Sequence, residues 1–245
     1  MHGDRSKKTP GESLADAEAF IGSRLGGPRP TLPWERKAQR DAERSALIQW
    51  AREGGRLFGG DPLARLRENV RRYGEHDVAY NESCGRWWKM THSGRSGVTA
   101  EFDYRMTPPF PIEKVYAIDA TPRQYIERML ILNEEFGSTV EIEGVWRDGD
   151  DVRIVTSQAD VAGSPASVEQ VRKFMAAKKY HEVPGVHLGK EGALTFVDTD
   201  NGIVLFDAHG GNFRIDADGD VHVIDAILVK VSSEETDYFL SGRAF

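Results

Sequence analysis

The segment from residue 202 to residue 227 constrains the fold most strongly, because it predicts three consecutive structural elements. Residues 203–206 form a short apolar run that is typical of a buried strand. A pair of glycines then loosens the loop that follows. Apolar residues alternate with polar ones at 213–215 and again at 221–223, with an Asp- and Gly-rich turn between them. The segment therefore predicts a strand, a flexible loop and a β-hairpin.

Three polar residues converge at one end of this predicted hairpin. Folding the chain about the central turn brings Asn212 opposite Asp225, within cross-strand or diagonal reach. Asp207 arrives at the same edge from the preceding strand. Two carboxylates and one amide suit a hard divalent cation beside a phosphate, so the pattern predicts a site of that kind. The alternative is a polar turn beside a hairpin.

The spacing of these residues resembles the catalytic core of the protein-kinase-like superfamily. Asp207 precedes Asn212 by five residues, and Asn212 precedes Asp225 by thirteen. Residues 207–212, Asp-Ala-His-Gly-Gly-Asn, are similar to the catalytic loops of aminoglycoside phosphotransferases and of polyvalent protein kinase-like domains in phage and mobile-element proteins. The resemblance implies that Asp207 is catalytic, that Asn212 and Asp225 bind Mg²⁺, and that the cofactor is ATP.

Length and composition favour a globular protein with room for two lobes. The chain has 245 residues, of which 39% are hydrophobic and 29% are charged. A formal net charge of -7 and a pI near 5.6 argue against nucleic-acid binding through a basic surface. No apolar run reaches transmembrane length and the polar N-terminus lacks a signal-peptide pattern, so no membrane partner is expected. The single cysteine, Cys84, rules out an internal disulfide and favours a cytoplasmic protein.

The first 73 residues are predicted to precede the kinase-like region. Residues 1–33 mix Gly, Pro, Ser and Lys, and they are expected to be largely disordered or draped over the fold. Residues 34–73 are expected to form a helical extension of two helices, the first ended by a glycine pair and the second begun at Asp61. The arginine-rich faces of these helices are expected to be solvated surface and not a nucleic-acid site.

Residues 74–160 are predicted to form a region like a kinase N-lobe, rich in β-structure and with one helix. Gly74, Val78 and Lys89 resemble the glycine turn, the valine and the phosphate-binding lysine of that lobe, although the full Gly-x-Gly-x-x-Gly loop is absent. The resemblance implies that Gly74 and Lys89 contact the nucleotide. A lysine that extends from an edge strand into solvent is an equally good interpretation of Lys89.

The one helix of this region has clear start signals. Thr121 and Pro122 are typical of an N-cap and a first turn, which predicts a helix over residues 121–136. Kinases place at this point the helix whose glutamate anchors the phosphate-binding lysine. Glu127 is therefore the candidate partner of the lysine, and a solvent-exposed Glu127 is the alternative.

A further hairpin is predicted next, and residues 157–163 after it occupy the place of the hinge between kinase lobes. The resemblance implies adenine binding at Ser157 and Gln158, whereas an ordinary strand-to-helix connection is the alternative. Residues 161–245 are predicted to form a reduced, helical C-terminal lobe that carries the catalytic-loop hairpin. Within that loop, His209 either points at the phosphates or caps the loop, and capping is favoured.

These observations predict an α+β, two-lobed, protein-kinase-like fold with a reduced C-terminal lobe and an N-terminal helical extension. The function implied by the resemblance is ATP- and Mg²⁺-dependent transfer of phosphate to a hydroxyl group of an unknown protein or small molecule. The alternative is a catalytically inactive kinase-like module that binds a nucleotide or a partner. The expected partners are therefore a nucleotide and a phosphate acceptor.

Overall fold

A computed structural model gives the structure of residues 11–25, 33–104 and 112–241. Its α-helices are α1 (Glu12–Leu25), α2 (Pro33–Glu53), α3 (Pro122–Phe136), α4 (Val168–Ala177) and α5 (Ser233–Leu240). Its strands are β1 (Leu57–Phe58), β2 (Arg71–Tyr73), β3 (His76–Asn81), β4 (Arg86–Thr91), β5 (Val98–Tyr104), β6 (Ile112–Asp119), β7 (Glu141–Asp148), β8 (Asp151–Ala159), β9 (Ser164–Pro165), β10 (His181–Glu182), β11 (Leu194–Asp198), β12 (Ile203–Ala208), β13 (Phe213–Ile215), β14 (Val221–Val223) and β15 (Ile227–Lys230). A 3₁₀ helix, Ala64–Asn69, lies between β1 and β2. None of the helices in these described ranges is both long and apolar enough to cross a membrane.

The fold is α+β, and the chain divides into two compact units. Among the described residues, the first unit contains those up to Gly97 together with Ala120–Asp160. The second unit contains Val98–Asp119 and those from Val161 onward. The last crossing of the chain between the units therefore falls inside the segment that was predicted to connect two lobes.

The first unit is built on a six-stranded sheet with the order β1-β7-β8-β4-β3-β2. β1 pairs with β7 in parallel, and the other neighbours are antiparallel. Side chains alternate between the two faces of the sheet, so each face packs against different residues. On one face Val155 and Met90 pack with Leu63. On the other face Thr156 lies against α3, with its hydroxyl oxygen 3.2 Å from that of Tyr125.

Helix α3 begins and ends as its sequence predicts. The hydroxyl of Thr121 accepts a hydrogen bond from the backbone N–H of Gln124, whose side chain accepts one from the Thr121 N–H in return. Pro122 occupies the first turn, where its missing N–H is no loss. Gly137 ends the helix in a left-handed conformation, with φ of 67°. The predicted helix over residues 121–136 is confirmed.

The N-terminal segment contains a helix, contrary to the disorder expected for residues 1–33. Leu14, Ala17 and Ile21 of α1 are fully buried. These residues lie three or four positions apart, so they form one apolar stripe along the helix. The stripe is short, and packing against α2 and α3 stabilises it, which reasoning from local composition misses. Residues 1–10 and 26–32 lie outside the described residues.

The helical extension predicted over residues 34–73 is correct only in its first half. Helix α2 ends at Glu53, just before the glycine pair that was expected to end it. The second predicted helix is wrong, because the chain after Asp61 forms the short 3₁₀ helix and then strand β2. Pairing of β2 with β3 gives this segment its hydrogen bonds, so a tertiary contact outweighs the local helical pattern.

The second unit combines the antiparallel sheet β10-β11-β12-β15 with the sheet β14-β13-β9 and the hairpin β5-β6. In its core the ring of Phe206 of β12 packs against that of Phe239 of α5, and Ala100 of the hairpin belongs to the same buried cluster. Residues 98–119, which form this hairpin, were included in the predicted N-lobe-like region 74–160, whereas the structure places them in the second unit. The predicted helical lobe is also corrected, since α4 and α5 are present but strands supply most of the regular structure.

Candidate functional site

The hairpin that carries the predicted metal-binding residues forms as expected. Strands β13 and β14 pair with Phe213 opposite Val223. Just beyond this pair, the carbonyl oxygen of Asn212 accepts hydrogen bonds from the backbone N–H groups of Ile224 at 2.9 Å and Asp225 at 3.4 Å. The structure thus places Asn212 and Asp225 side by side at the mouth of the hairpin, as their spacing predicts.

The side chain of Asn212 is held by Asp207. Its amide nitrogen Nδ2 donates to the backbone oxygen of Asp207 at 2.9 Å and to the carboxylate oxygen Oδ2 at 3.0 Å. The opposite orientation of the amide would bring its oxygen against two other oxygens, so electrostatics fixes this one. In the described part of the chain, no hydrogen bond reaches the carboxamide oxygen Oδ1 of Asn212. That oxygen is therefore available to bind a cation.

Asp207 lies near the end of β12 in a left-handed backbone conformation, with φ of 60°. Such a conformation costs about 1–3 kcal/mol in a residue other than glycine, and aspartate tolerates it better than most. The strand was expected to end at residue 206, but it continues to Ala208, which pairs with Leu194. A strained residue at the position predicted to be catalytic supports a functional role.

A second segment that contacts Asp207 was missed by the reasoning from sequence. The backbone N–H of Lys190 donates to the carboxylate oxygen Oδ1 of Asp207 at 2.7 Å. Gly189 lies so close that a Cβ atom built on it would be 2.3 Å from the same oxygen. Both carboxylate oxygens are thus fixed, Oδ1 by the Lys190 N–H and Oδ2 by Asn212. The signal that could have revealed this segment is its high glycine content, with glycines at residues 185, 189 and 192.

His209 caps the loop that contains it. Its Nδ1 atom accepts a hydrogen bond from the backbone N–H of Gly211 at 2.9 Å, so the neutral ring carries its proton on Nε2. That Nε2 atom lies 3.7 Å from Oδ1 of Asp207, which is too long for a hydrogen bond. The favoured prediction of loop capping is confirmed, and contact of His209 with phosphates stays a prediction.

The acidic turn of the hairpin is held by its own first carboxylate. Oδ1 of Asp216 accepts hydrogen bonds from the N–H groups of Asp218 at 3.0 Å and Asp220 at 2.9 Å. Nε2 of His222 lies 2.7 Å from the other oxygen, Oδ2. The hydrogen bond to His222, followed by those to the backbone, lowers the pKa of Asp216. The acidic run therefore serves to form the turn.

In the first unit, Lys89 lies on β4 opposite Val78 and Thr156. Its register with Thr156 puts it on the face of the sheet that packs against α3. The ammonium group of Lys89 donates to the side-chain oxygen of Gln158 at 3.0 Å. Lys89 is thus part of the sheet and has a structural contact, and its binding of phosphate stays a prediction.

Glu127, the predicted partner of Lys89, forms an ion pair with Arg123 one turn earlier on α3, at 3.1 Å. Arg123 also binds Glu18 of α1 at 2.7 Å, so the N-terminal helix is tied to α3 at this point. Glu127 therefore contributes to a network of charges on the helix surface. A pair between Glu127 and Lys89 stays a prediction.

The turn at Gly74 is also tied to α3, through the residue that follows it. Gly74 connects β2 and β3 with φ of 43°, and no atom lies within 4 Å of a Cβ built on it. Glu75 accepts a hydrogen bond from the buried guanidinium of Arg128 at 2.6 Å. This ion pair ties the turn to helix α3.

Ser157 and Gln158, the predicted adenine-binding residues, lie in strand β8. The connection that was predicted to begin at residue 157 begins later, because β8 continues to Ala159 and stays paired with β4. The hydroxyl of Ser157 accepts a hydrogen bond from Nε of Arg86 at 2.7 Å and donates one to Glu143 at 2.6 Å. These polar side chains are satisfied within the sheet, which allows them to occupy a buried strand.

No family model, curated protein or solved structure matches the chain. The kinase-like resemblance therefore rests on the residues and contacts described above.

Proposed function

We propose that this protein is a kinase-like phosphotransferase that moves the terminal phosphate of ATP, with Mg²⁺, to a hydroxyl group of a protein or small molecule. The observation that carries the proposal is the pair formed by Asp207 and Asn212. The amide of Asn212 fixes the carboxylate of Asp207 and leaves its own oxygen for a cation, beside the backbone of Asp225. A polar turn without a function requires neither a strained aspartate nor an amide oriented in this way.

Each of the three residues has a role that its chemistry supports. Asp207 accepts the proton of the acceptor hydroxyl as the oxygen of that hydroxyl attacks the terminal phosphorus atom. The bond between this phosphorus and the bridging oxygen breaks, and ADP leaves with the electron pair. Asn212 through its amide oxygen and Asp225 through its carboxylate would hold Mg²⁺, which is commonly ligated by a few protein oxygens together with phosphates. When bound, the ion offsets negative charge on the phosphate oxygens.

The first unit supports the proposal through the order of its elements. The turn at Gly74 is followed by Val78 and Lys89 on two paired strands, then by α3 and the β7-β8 hairpin. This is the order of the small lobe that the sequence resembles. Lys89 is the phosphate-binding cation that we propose for this unit, and Ser157 and Gln158 are its proposed adenine-binding residues.

Replacing Asp225 with asparagine is expected to weaken the binding of ATP in the presence of Mg²⁺ by at least about tenfold. The substitution keeps the size of the side chain but removes the negative charge that attracts the cation. Isothermal titration calorimetry with and without Mg²⁺ measures the effect, and the wild-type protein should bind ATP more tightly when Mg²⁺ is present.

The matched control for this change is Asp218→Asn, which removes one negative charge from the exposed turn of the same hairpin. This variant should bind Mg²⁺ and ATP as the wild type does. Equal affinities of the Asp225 and Asp218 variants would contradict the assignment of Asp225 as a metal-binding residue.

A further inference from the structure

The loop between β10 and β11 is an anchored part of the second unit. Its Val186 and Leu188 are buried in the core, and the hydroxyl of Thr195 donates to the Val186 carbonyl oxygen at 2.7 Å. A turn closes the loop, with the N–H of Ala193 donating to the carbonyl oxygen of Lys190 at 3.0 Å. Lys190 is therefore presented from a backbone that is fixed on both sides.

The loop approaches the carboxylate of Asp207 because residue 189 is a glycine. Gly189 has φ of 92°, in the region that favours glycine, and a Cβ atom built on it would lie 2.3 Å from Oδ1 and 2.4 Å from Cγ of Asp207. Any other residue would push the loop and the carboxylate apart. Only at this short separation can the N–H of Lys190 donate to Oδ1.

The ammonium group of Lys190 is exposed, and in the described part of the chain it makes no hydrogen bond or ion pair. Two other cations of the second unit, both arginines, have structural contacts. Arg172 binds Glu182 at 2.7 Å, and Arg214 donates to the carbonyl oxygen of Gly163 at 2.9 Å. The fold thus holds the backbone of Lys190 directly beside Asp207, while its ammonium group makes no hydrogen bond or ion pair with the described residues.

The position of Lys190 also fits the charge distribution of phosphate transfer. The phosphoryl group spreads its negative charge over three oxygens while it passes between donor and acceptor, and a nearby cation stabilises that arrangement. The stem of a lysine is a flexible chain of four carbons. Since the backbone nitrogen of Lys190 is 2.7 Å from Oδ1 of Asp207, the stem is long enough for the ammonium to reach a phosphoryl group beside that carboxylate.

We propose that Lys190 binds the phosphoryl group in transfer beside Asp207, and that Gly189 is the residue that brings Lys190 there. This inference rests on the proposed function and adds a catalytic residue from a separate loop. Lys190 stays protonated and donates hydrogen bonds to the non-bridging oxygens, while the proton of the acceptor goes to Asp207. Gly189 is a positioning residue, since it acts through the close approach of the two segments.

The test compares Lys190→Ala with Lys190→Arg and with Lys173→Ala, which removes an exposed lysine from α4 of the same unit. Transfer of label from γ-labelled ATP, to the protein itself or to a co-purified acceptor, is measured together with the affinity for ATP and Mg²⁺. Lys190→Ala should lower the transfer rate about 100-fold with little change in affinity, because the cation acts on the transition state. Lys190→Arg should restore most of the rate, and Lys173→Ala should transfer as the wild type does.

Gly189→Ala and Gly192→Ala form a second matched pair in the same loop. Both glycines have a left-handed backbone, with φ of 92° and 77°, so alanine introduces similar backbone strain at each. No atom lies within 4 Å of a Cβ at residue 192, whereas a Cβ at residue 189 collides with Asp207. Gly189→Ala should therefore lower the transfer rate as Lys190→Ala does, and Gly192→Ala should keep most of it.

The possible outcomes separate this inference from the proposed function. If the wild type transfers phosphate and Lys190→Ala is as active as Lys173→Ala, Lys190 is not catalytic and the inference is overturned. Equal rates for the two glycine variants overturn the positioning role of Gly189. If the wild type transfers no phosphate, the proposed function is wrong, and the inference about Lys190 is then wrong as well. If Gly189→Ala does not fold, the Lys190 variants alone test the inference, because they change only an exposed side chain.

Discussion

Replacing Asp207 with alanine is expected to lower phosphate transfer by a factor of about 10³–10⁴, while the affinity for ATP changes only a few-fold. The acceptor-orienting carboxylate acts mainly in the transition state, so its loss affects the rate and not the binding of the nucleotide. Label transfer from γ-labelled ATP and calorimetry with ATP and Mg²⁺ measure the two quantities on the same preparation.

Two further variants show whether the effect is specific to Asp207. Asp200→Ala removes an exposed carboxylate from the turn before β12, at the opposite end of the strand, and should be fully active. Asn212→Ala should reduce both transfer and ATP affinity, because Asn212 is the proposed metal-binding residue and also holds the Asp207 carboxylate. Loss of transfer without loss of affinity in Asn212→Ala would contradict its role in binding the metal.

Measurements of ATP binding and phosphate transfer by the wild-type protein distinguish an enzyme from a binding module. Tight, Mg²⁺-dependent ATP binding without transfer to a broad panel of proteins and small hydroxyl compounds would identify a catalytically inactive nucleotide-binding module. A wild type that binds no ATP at all would remove the kinase-like proposal.

The placement of Asn212 beside Asp225 could be predicted from the sequence because a hairpin joins them. Alternating apolar residues fix the pairing of Phe213 with Val223, and the residues next to this pair must then meet. The contact of Asp207 with Lys190 could not be predicted in this way. These two residues are 17 positions apart, and the intervening chain includes two strands and a loop whose packing depends on the whole core.

The errors in the predicted fold have the same cause, since each concerns a segment whose structure depends on distant partners. Helix α1 is stable because its short apolar stripe packs against α2 and α3. The β5-β6 hairpin belongs to the second unit because the ring of Phe102 packs against that of Phe239, which lies far along the chain in α5. Strand β8 extends through Ser157 because Arg86 and Glu143 satisfy a hydroxyl that would otherwise favour a loop.

The glycine pair of the loop between Asp207 and Asn212 was interpreted as a source of flexibility, and the structure gives one of the two glycines a steric role. A Cβ built on Gly210 would lie 2.2 Å from the carbonyl oxygen of Ala166, just before α4. Ala166 cannot move away easily, because its N–H donates to the carbonyl oxygen of Phe213 on β13 at 3.0 Å. Gly210 therefore lets the loop between Asp207 and Asn212 pack against this backbone.

Replacing Gly210 with alanine is expected to destabilise the second unit by about 2–3 kcal/mol, since the loop and a fixed backbone must separate. For a chain of this size, that loss corresponds to a fall of about 4–12 °C in Tm. The same displacement moves Asp207 relative to Asn212, so transfer activity should fall well below that of the wild type at temperatures where the variant is still folded. Differential scanning calorimetry and label transfer measure the two effects.

Gly211→Ala is the matched control, because neither glycine has a left-handed backbone and alanine therefore adds no backbone strain at either position. A Cβ at residue 211 would meet only the imidazole of His209, 2.6 Å away, and this side chain can rotate. The loss in free energy of unfolding is then limited to the contribution of the hydrogen bond from the Gly211 N–H to His209, about 1 kcal/mol. Equal losses of Tm and activity in the two variants would show that both glycines serve flexibility alone, and that the contact of Gly210 with Ala166 does not position the loop between Asp207 and Asn212.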